Sequence, residues 1–151
     1  VYASDLSRAY QTAELVAQEH SLIVEQVSGL REIHFGNWEG MMYEEIEQES
    51  DFTFTEWLED PVNRTAPEGE GLRDVQKRSL SALKNIIDTH PDETVFIVTH
   101  GGVIRVLIST LLDMPLDNCW QLNQANTSVN ILDIYDQKVI LDLFNCTAHL
   151  R

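Results

Sequence analysis

The sequence predicts an α/β fold with three α/β/α layers, in which a mostly parallel central sheet has an antiparallel hairpin at one edge. Strand-like and helix-like segments alternate along the chain, which is typical of this class. Val95–Val98 is a continuous apolar run, as expected of a central strand covered on both faces. Two strand-like stretches, Ser128–Tyr135 and Lys138–Phe144, flank Asp136-Gln137, which favours a tight turn.

The amino-terminal part of the chain is predicted to contain two short strands and two helical segments. Val1-Tyr2-Ala3 has the pattern of a strand end, and Ser4 or Asp5 is expected to cap the next helix by accepting a free N–H. That helix carries apolar residues on one face: Leu6, Ala9, Ala13, Val16 and Ala17. Leu22–Val27 is predicted as a short strand, and Met42–Leu58 has helical spacing.

The carboxyl-terminal part is predicted to hold a long helix, the apolar strand and a buried helix. Pro61–Gly71 is irregular, and the long helix begins at Leu72 and ends at His90-Pro91. After the apolar strand, Val103–Leu112 is apolar enough to form a buried helix, which Pro115 closes.

Composition excludes several classes of protein. The length of 151 residues indicates one domain, residues 1–151. The formal net charge of −15 argues against a nucleic-acid partner. No apolar run approaches the roughly 18 residues of a membrane span, so no membrane partner is expected. Cys119 and Cys146 have no zinc or disulfide context, which favours a reducing cytoplasm.

Cationic residues follow two predicted strand ends, where open α/β sheets bind their ligands. Arg8 lies in the first turn after Val1-Tyr2-Ala3, and His100-Gly101-Gly102 follows the apolar strand. A helix N-terminus offers free N–H donors, and a guanidinium can hold two phosphate oxygens. These junctions predict an anion site. Taken one at a time, these residues also have purely structural explanations. Arg8 is typical of a solvated surface arginine, and His100 is typical of a buried structural histidine. The two glycines fit a simple turn.

Three collinear blocks resemble the signature segments of the histidine phosphatase, or phosphoglycerate mutase-like, superfamily. They are Ser4–Ala13, Leu30–Gly40, which is similar to the general-acid segment, and Val98–Arg105, which is similar to the second-histidine segment. Pro67–Leu72 resembles the Gly-Glu-Ser block of the family, with Gly71 where serine is usual. The resemblance extends over nearly the whole chain, and the sequence is most similar to the phosphatase branch of the superfamily.

The resemblance implies a metal-independent phosphatase that works through a phosphohistidine and needs no cofactor. Arg8 and His100 would bind the transferring phosphoryl group as charged donors, and the N–H of Gly101 would add a fixed donor. Glu32 would protonate the leaving oxygen and then deprotonate the attacking water. That dual role works best with a pKa raised towards neutrality. The catalytic set is therefore Glu32, His100 and Arg8.

The family places its nucleophile in an Arg-His-Gly segment, and this sequence contains no such triplet. The other histidines lie in different contexts: His20, His34, His90 and His149. We therefore expect an amino-terminally truncated domain that is inactive alone, lacks the first strand of the family and has apolar surface open to self-association. A homodimer is one form that such self-association would take.

The resemblance leaves the small-molecule phosphate ester open. The short interval between Glu32 and Glu70 favours a phosphatase over a mutase. The pattern from Asn126 to Val129 and from Asn145 to Leu150 is similar to α-ribazole phosphatases of cobalamin assembly. A broad phosphatase for sugar or glycerate phosphates, a phosphoglycerate mutase and an inactive phosphate-binding protein remain alternatives.

Overall fold

The computed structural model describes residues 1–49, 53–136 and 138–150, without the side chain of residue 49. Its helices and strands alternate as the sequence predicts. In chain order they are β1 Tyr2–Ala3, α1 Ser7–Glu19, β2 Glu25–Gln26, α2 Tyr43–Glu49, α3 Phe54–Glu59, α4 Leu72–Thr89, β3 Ile97–Val98, α5 Gly101–Leu111, β4 Val129–Tyr135 and β5 Lys138–Cys146. Short 3₁₀ turns occur at Ser28–Leu30, Gly36–Trp38, Leu116–Gln121 and Ala148–Leu150.

Parallel strands form one sheet and the hairpin forms another. The parallel sheet has the order β2-β1-β3, with Tyr2 opposite both Glu25 and Ile97. Strands β4 and β5 pair with each other in antiparallel register, with a shift near Ile131. The predicted α/β class, with parallel strands and an antiparallel hairpin, is confirmed. Gln137 of the predicted hairpin turn lies outside the described residues.

Two predicted strands are shorter or more exposed than expected. Strand β3 contains only Ile97 and Val98, both of them half-buried, and Phe96 before it is 40% exposed. Within the described chain β3 pairs only with β1, so β3 lies at an edge of this sheet and is not the central strand that the sequence predicted. Of the predicted strand Leu22–Val27, only Glu25 and Gln26 are paired, because β1 offers just two residues.

The start of α1 differs in part from the prediction. Leu6, rather than Ser4 or Asp5, is the residue before the helix, although the Leu6 N–H donates to the Ser4 Oγ over 3.3 Å. Ser4 is fully buried and also bonds to His100. Asp5 is held by the guanidinium of Arg31, with two bonds of 2.7 and 2.6 Å. Both candidate caps are therefore engaged in tertiary contacts.

The main hydrophobic core lies between α4 and α5. Helix α4 begins after Gly71, whose N–H donates to the Asp74 carboxylate over 3.3 Å, so the glycine there still permits a stable helix start. The helix ends before His90, as predicted. The buried members of the core are Ile33, Leu72, Val75, Leu83, Val103, Val106, Leu107 and Cys119. A second, aromatic cluster surrounds the buried Trp38 and Trp57.

Among the described residues, none of the helices combines the length and the apolar composition that crossing a membrane requires.

Candidate active site

The two strand-end junctions of the sequence lie side by side. Strands β1 and β3 are parallel, with Ala3 opposite Val98, and the N–H of Ser4 donates to the Val98 carbonyl over 2.9 Å. The carboxyl ends of the two strands therefore lie at the same sheet edge. The structure thus brings α1, which carries Arg8, next to the start of α5 after His100.

His100 occupies the centre of this edge. It is the residue before α5, and it is only 7% exposed. Its Nε2 lies 2.8 Å from the Oγ of Ser4, which is fully buried. The Ser4 Oγ also accepts the Leu6 N–H over 3.3 Å. This pair fixes the plane of the imidazole and leaves Nδ1 without a hydrogen-bond partner among the described residues.

Three charged side chains act on His100. Burial lowers the pKa of His100 below the usual value, the negative charge of Glu32 opposes the shift, and the positive charges of Arg8 and Arg78 add to it. The imidazole is therefore mostly neutral at pH 7 in the absence of a ligand. His100 can therefore act as the predicted charged donor only when a bound anion raises the pKa of its imidazole again.

Glu32 reaches the first turn of α5 from the loop after the 3₁₀ turn Ser28–Leu30. One carboxylate oxygen accepts the Gly102 N–H over 3.2 Å, and the other accepts the Ile33 N–H over 3.0 Å. A Cβ on Gly102 would lie 2.6 Å from the Glu32 Oε1 and 2.7 Å from the Ile33 Cδ1. Only glycine permits this approach. The carboxylate of Glu32 and the imidazole of His100 consequently flank the same helix start.

Arg8 and Gly101 lie in the first turns of α1 and α5. Arg8 is the second residue of α1 and is exposed, so its guanidinium is accessible to a ligand. Gly101 is the first residue of α5, and its N–H donates to no other described residue. A free N–H at the start of an eleven-residue helix is suited to an anion.

Sequence reasoning missed three residues around the site. Ser4 belongs to a recognised block but was assigned as a helix cap, although it is the hydrogen-bond partner of His100. The N–H of Gly102 donates to the Glu32 carboxylate, whereas the sequence predicted only the neighbouring Gly101 as a donor. Arg78 lies on α4, where no pattern distinguishes it from a surface arginine, and it bonds to the Glu32 carbonyl over 3.1 Å.

The remaining histidines lie elsewhere. His90 bonds to the Tyr2 hydroxyl over 2.7 Å and to Glu93 over 3.0 Å, and the ring of His34 lies 3.5 Å from Glu39. The other two, His20 and His149, are exposed. In the part of the chain that the structure describes, no group of three or more His, Cys, Asp or Glu side chains could hold a metal ion.

Comparison with known proteins agrees with this geometry. The model of the histidine phosphatase superfamily, branch 1, matches residues 1–147. The chain belongs to the histidine phosphatase superfamily. The superfamily assignment, predicted from the three blocks, is therefore confirmed.

Phosphatases named for different substrates resemble this chain to similar degrees. Phosphoserine phosphatase 1 of Hydrogenobacter thermophilus is 29% identical over 150 residues, covering 99% of this chain and 71% of the relative. The adenosylcobalamin/alpha-ribazole phosphatase of Escherichia coli is 27% identical over 148 residues, covering 98% and 73%. The solved structure of Bacillus stearothermophilus YhfR has a TM-score of 0.92 and 36% identity, covering 99% of this chain and 75% of that one.

Proposed function

We propose that this chain carries the phosphate-binding and proton-transfer residues of a metal-independent phosphomonoester phosphatase that acts through a phosphohistidine. The observation that carries the proposal is the meeting of His100 and Glu32 at the start of α5, where Gly102 donates to the Glu32 carboxylate over 3.2 Å. A proton donor thereby stands next to a helix N-terminus suited to phosphate.

The phosphoryl group is proposed to bind between α1 and α5. Arg8 supplies a bidentate guanidinium, His100 donates from Nδ1, and the Gly101 N–H adds the helix terminus. These donors act locally against a chain of formal charge −15, which repels anions at long range. The charge of the phosphate restores the proton of His100, because an adjacent anion raises the pKa of an imidazole.

Glu32 is proposed to transfer the proton in both halves of the reaction. In the first, a histidine nitrogen bonds to phosphorus as the ester P–O bond breaks, and the leaving oxygen takes the Glu32 proton. In the second, Glu32 takes a proton from water as the water oxygen bonds to phosphorus and the P–N bond breaks. Inorganic phosphate leaves, and Glu32 is protonated again.

The attacking histidine is proposed to come from residues other than the five histidines of this sequence. His100 has its Nε2 bonded to Ser4, and the others lie outside the site or in unrelated contacts. We therefore expect the 151-residue chain by itself to bind phosphate without becoming phosphorylated.

For the substrate we propose α-ribazole 5′-phosphate, with sugar and glycerate phosphates as the broader alternative. The two segments whose pattern supports this choice lie side by side, because Val129 of β4 is paired with Cys146 of β5. Asn145 also bonds to the residues that flank the first segment: Asn145 Oδ1 accepts the Ala125 N–H over 2.7 Å, and the Asn145 N–H donates to Asn130 Oδ1 over 2.8 Å. The alpha-ribazole phosphatase among the relatives adds support.

Trapping of the intermediate tests the reaction. The protein expressed from its complete reading frame is mixed with ³²P-labelled phosphomonoester, quenched in alkali, where phosphohistidine survives, and mapped by mass spectrometry. We expect phosphohistidine in the wild type and loss of turnover in Glu32→Gln. Glu19→Gln, at an exposed position of α1, is the matched control. Hydrolysis without any phosphohistidine would contradict the mechanism.

A comparison of kcat/KM values tests the substrate, because such ratios define specificity. The panel contains α-ribazole 5′-phosphate, phosphoserine, 3-phosphoglycerate and glucose 6-phosphate. We expect the highest value for α-ribazole 5′-phosphate. Equal values across the panel would favour the broad phosphatase, and transfer of phosphate between hydroxyl groups of phosphoglycerate would favour a mutase.

A further inference from the structure

The guanidinium of Arg78 has five N–H groups, and all five are hydrogen-bonded. Nε and Nη2 hold the two carboxylate oxygens of Glu70, over 2.9 and 2.6 Å. The other three donate to main-chain carbonyls: Gly29 over 2.9 Å, Arg31 over 2.7 Å and Glu32 over 3.1 Å. Every donor that an arginine possesses is thus engaged by the loop that carries Glu32 or by Glu70.

Glu70 continues the same network to the other side of Glu32. Its carboxylate accepts the His34 N–H over 2.9 Å, and its own N–H donates to the His34 carbonyl over 2.9 Å. Burial raises the pKa of Glu70, but the hydrogen bonds and charge of Arg78, with the His34 N–H, outweigh burial and hold the pKa below the usual range. Glu70 therefore remains ionised at neutral pH and fixes Arg78.

This loop has no regular secondary structure to hold it. Residues 31–35 belong neither to a helix nor to a strand. Instead, the 3₁₀ turn Ser28–Leu30 that precedes it packs closely on α4, since a Cβ on Gly29 would lie 3.0 Å from the Ala82 Cβ and 3.1 Å from the Arg78 carbonyl oxygen. Side-chain bonds from α4 therefore define the path of the backbone through Glu32.

We propose that Arg78 is a positioning residue for Glu32, and that its Glu70-backed guanidinium fixes the loop so that the Glu32 carboxylate meets the Gly102 N–H. The inference rests on the proposed phosphatase function, in which Glu32 transfers the proton. A shift of the carboxylate by about 1 Å costs such a step on the order of 10²-fold in rate. Arg78 acts through the backbone and contacts no substrate.

Arginine is required here rather than any cation. A lysine has three donors on one nitrogen and cannot bridge both oxygens of Glu70 and three separate carbonyls. Arg78→Lys keeps the positive charge near His100 but removes most of the hydrogen bonds that hold the loop carrying Glu32. Arg73→Lys, on the exposed face of the same helix, makes the same change in chemistry and is the matched control.

The experiment compares two substrates in the protein expressed from its complete reading frame. An alkyl phosphate needs a proton on its leaving oxygen, whereas 2,4-dinitrophenyl phosphate does not, because its phenolate is stable. We expect Arg78→Lys to lower kcat for the alkyl phosphate by about 10²-fold, with KM nearly unchanged and little effect on the dinitrophenyl ester. Arg73→Lys should match the wild type. An equal loss for both esters, or no loss, overturns the proposal.

Amide hydrogen exchange gives a readout independent of turnover. Arg78→Lys should speed exchange at the Gly102 and His34 amides, which donate to Glu32 and Glu70. Unchanged protection at Gly102 overturns the positioning role. If the wild type hydrolyses neither ester, the proposed function fails, while exchange at Gly102 still decides the role of Arg78. Should Arg78→Lys not fold, Glu70→Gln is expected to give the same selective loss, about 10-fold, and an unselective loss there counts against the proposal.

Discussion

The imidazole of His100 and the hydroxyl of Ser4 are separated by 96 positions in the chain and by 2.8 Å between Nε2 and Oγ. The Ser4 Oγ accepts the Leu6 N–H, so its own proton is free to go to Nε2. When the hydroxyl donates to Nε2, the neutral imidazole carries its proton on Nδ1, and Nδ1 is then the donor towards a bound phosphate. A buried serine thus orients the central residue of the site.

Removal of the Ser4 hydroxyl should weaken phosphate binding. In Ser4→Ala the buried Nε2 loses its partner, and the tautomer is no longer fixed, at a cost of about 1–1.5 kcal/mol. We expect the Kd of inorganic phosphate to rise about 5- to 10-fold, with a change in the ¹⁵N shifts of the His100 ring. Ser7→Ala, at an exposed position of α1, is the control. An unchanged Kd together with unchanged shifts would contradict this assignment.

A methyl group at Gly102 should displace Glu32. The added Cβ lies 2.6 Å from Glu32 Oε1 and 2.7 Å from the buried Ile33 side chain, so both must move. We expect Gly102→Ala to lower the free energy of unfolding by about 1–3 kcal/mol, the usual effect of overpacking. Gly101→Ala is the control for stability, because its Cβ meets only the end of the flexible Arg105 side chain, at 3.0 Å. Equal unfolding midpoints for the two variants in urea would refute the expected clash.

Protonation of His100 should destabilise the fold at mildly acidic pH. The folded-state pKa lies below the unfolded value, so the unfolded chain binds more protons as the pH falls below about 6.5. Stability should be constant above that pH and decrease towards pH 5. Asp5 and Glu70 have lowered pKa values and therefore titrate below this window.

Urea unfolding between pH 7.5 and pH 5 measures this effect. His100→Gln should flatten the dependence relative to the wild type, whereas His20→Gln, at an exposed position, should leave it intact. Saturating phosphate should also reduce the slope, because the bound anion raises the pKa of His100. A slope that survives His100→Gln would assign the effect to another group.

The two cysteines should differ in reactivity. Burial raises the pKa of Cys119 to about 11, so only about one thiol in a thousand is ionised at pH 8, and the side chain is fully buried. Cys146, in β5, is half-buried and serves as the internal reference. We expect iodoacetamide to label Cys146 first and Cys119 only with unfolding, measured by mass spectrometry of the tryptic peptides. Comparable rates in the native protein would show that this core opens readily.

The sequence alone was sufficient to predict the alternation of strands and helices. Hydrophobic periodicity is a local property, and so is the tendency of proline and glycine to end helices and strands. Helix α4 ends at Thr89, before His90-Pro91, and the hairpin strands begin and end close to their predicted bounds. The prediction for β3 was wrong in part, because the burial of Phe96 depends on neighbouring elements that no local pattern specifies. Paired length in β2 likewise follows from the two residues of β1.

The sequence by itself determined the fold class, the superfamily and the positions of Arg8, Glu32, His100 and Gly101 within recognisable blocks. Tertiary structure alone decided which groups meet. It pairs Ser4 with His100 and Gly102 with Glu32, and it engages all five donors of one arginine on α4. Such contacts join residues far apart in the chain, and their distances depend on how the elements pack, whereas composition and spacing record only what each residue is able to offer.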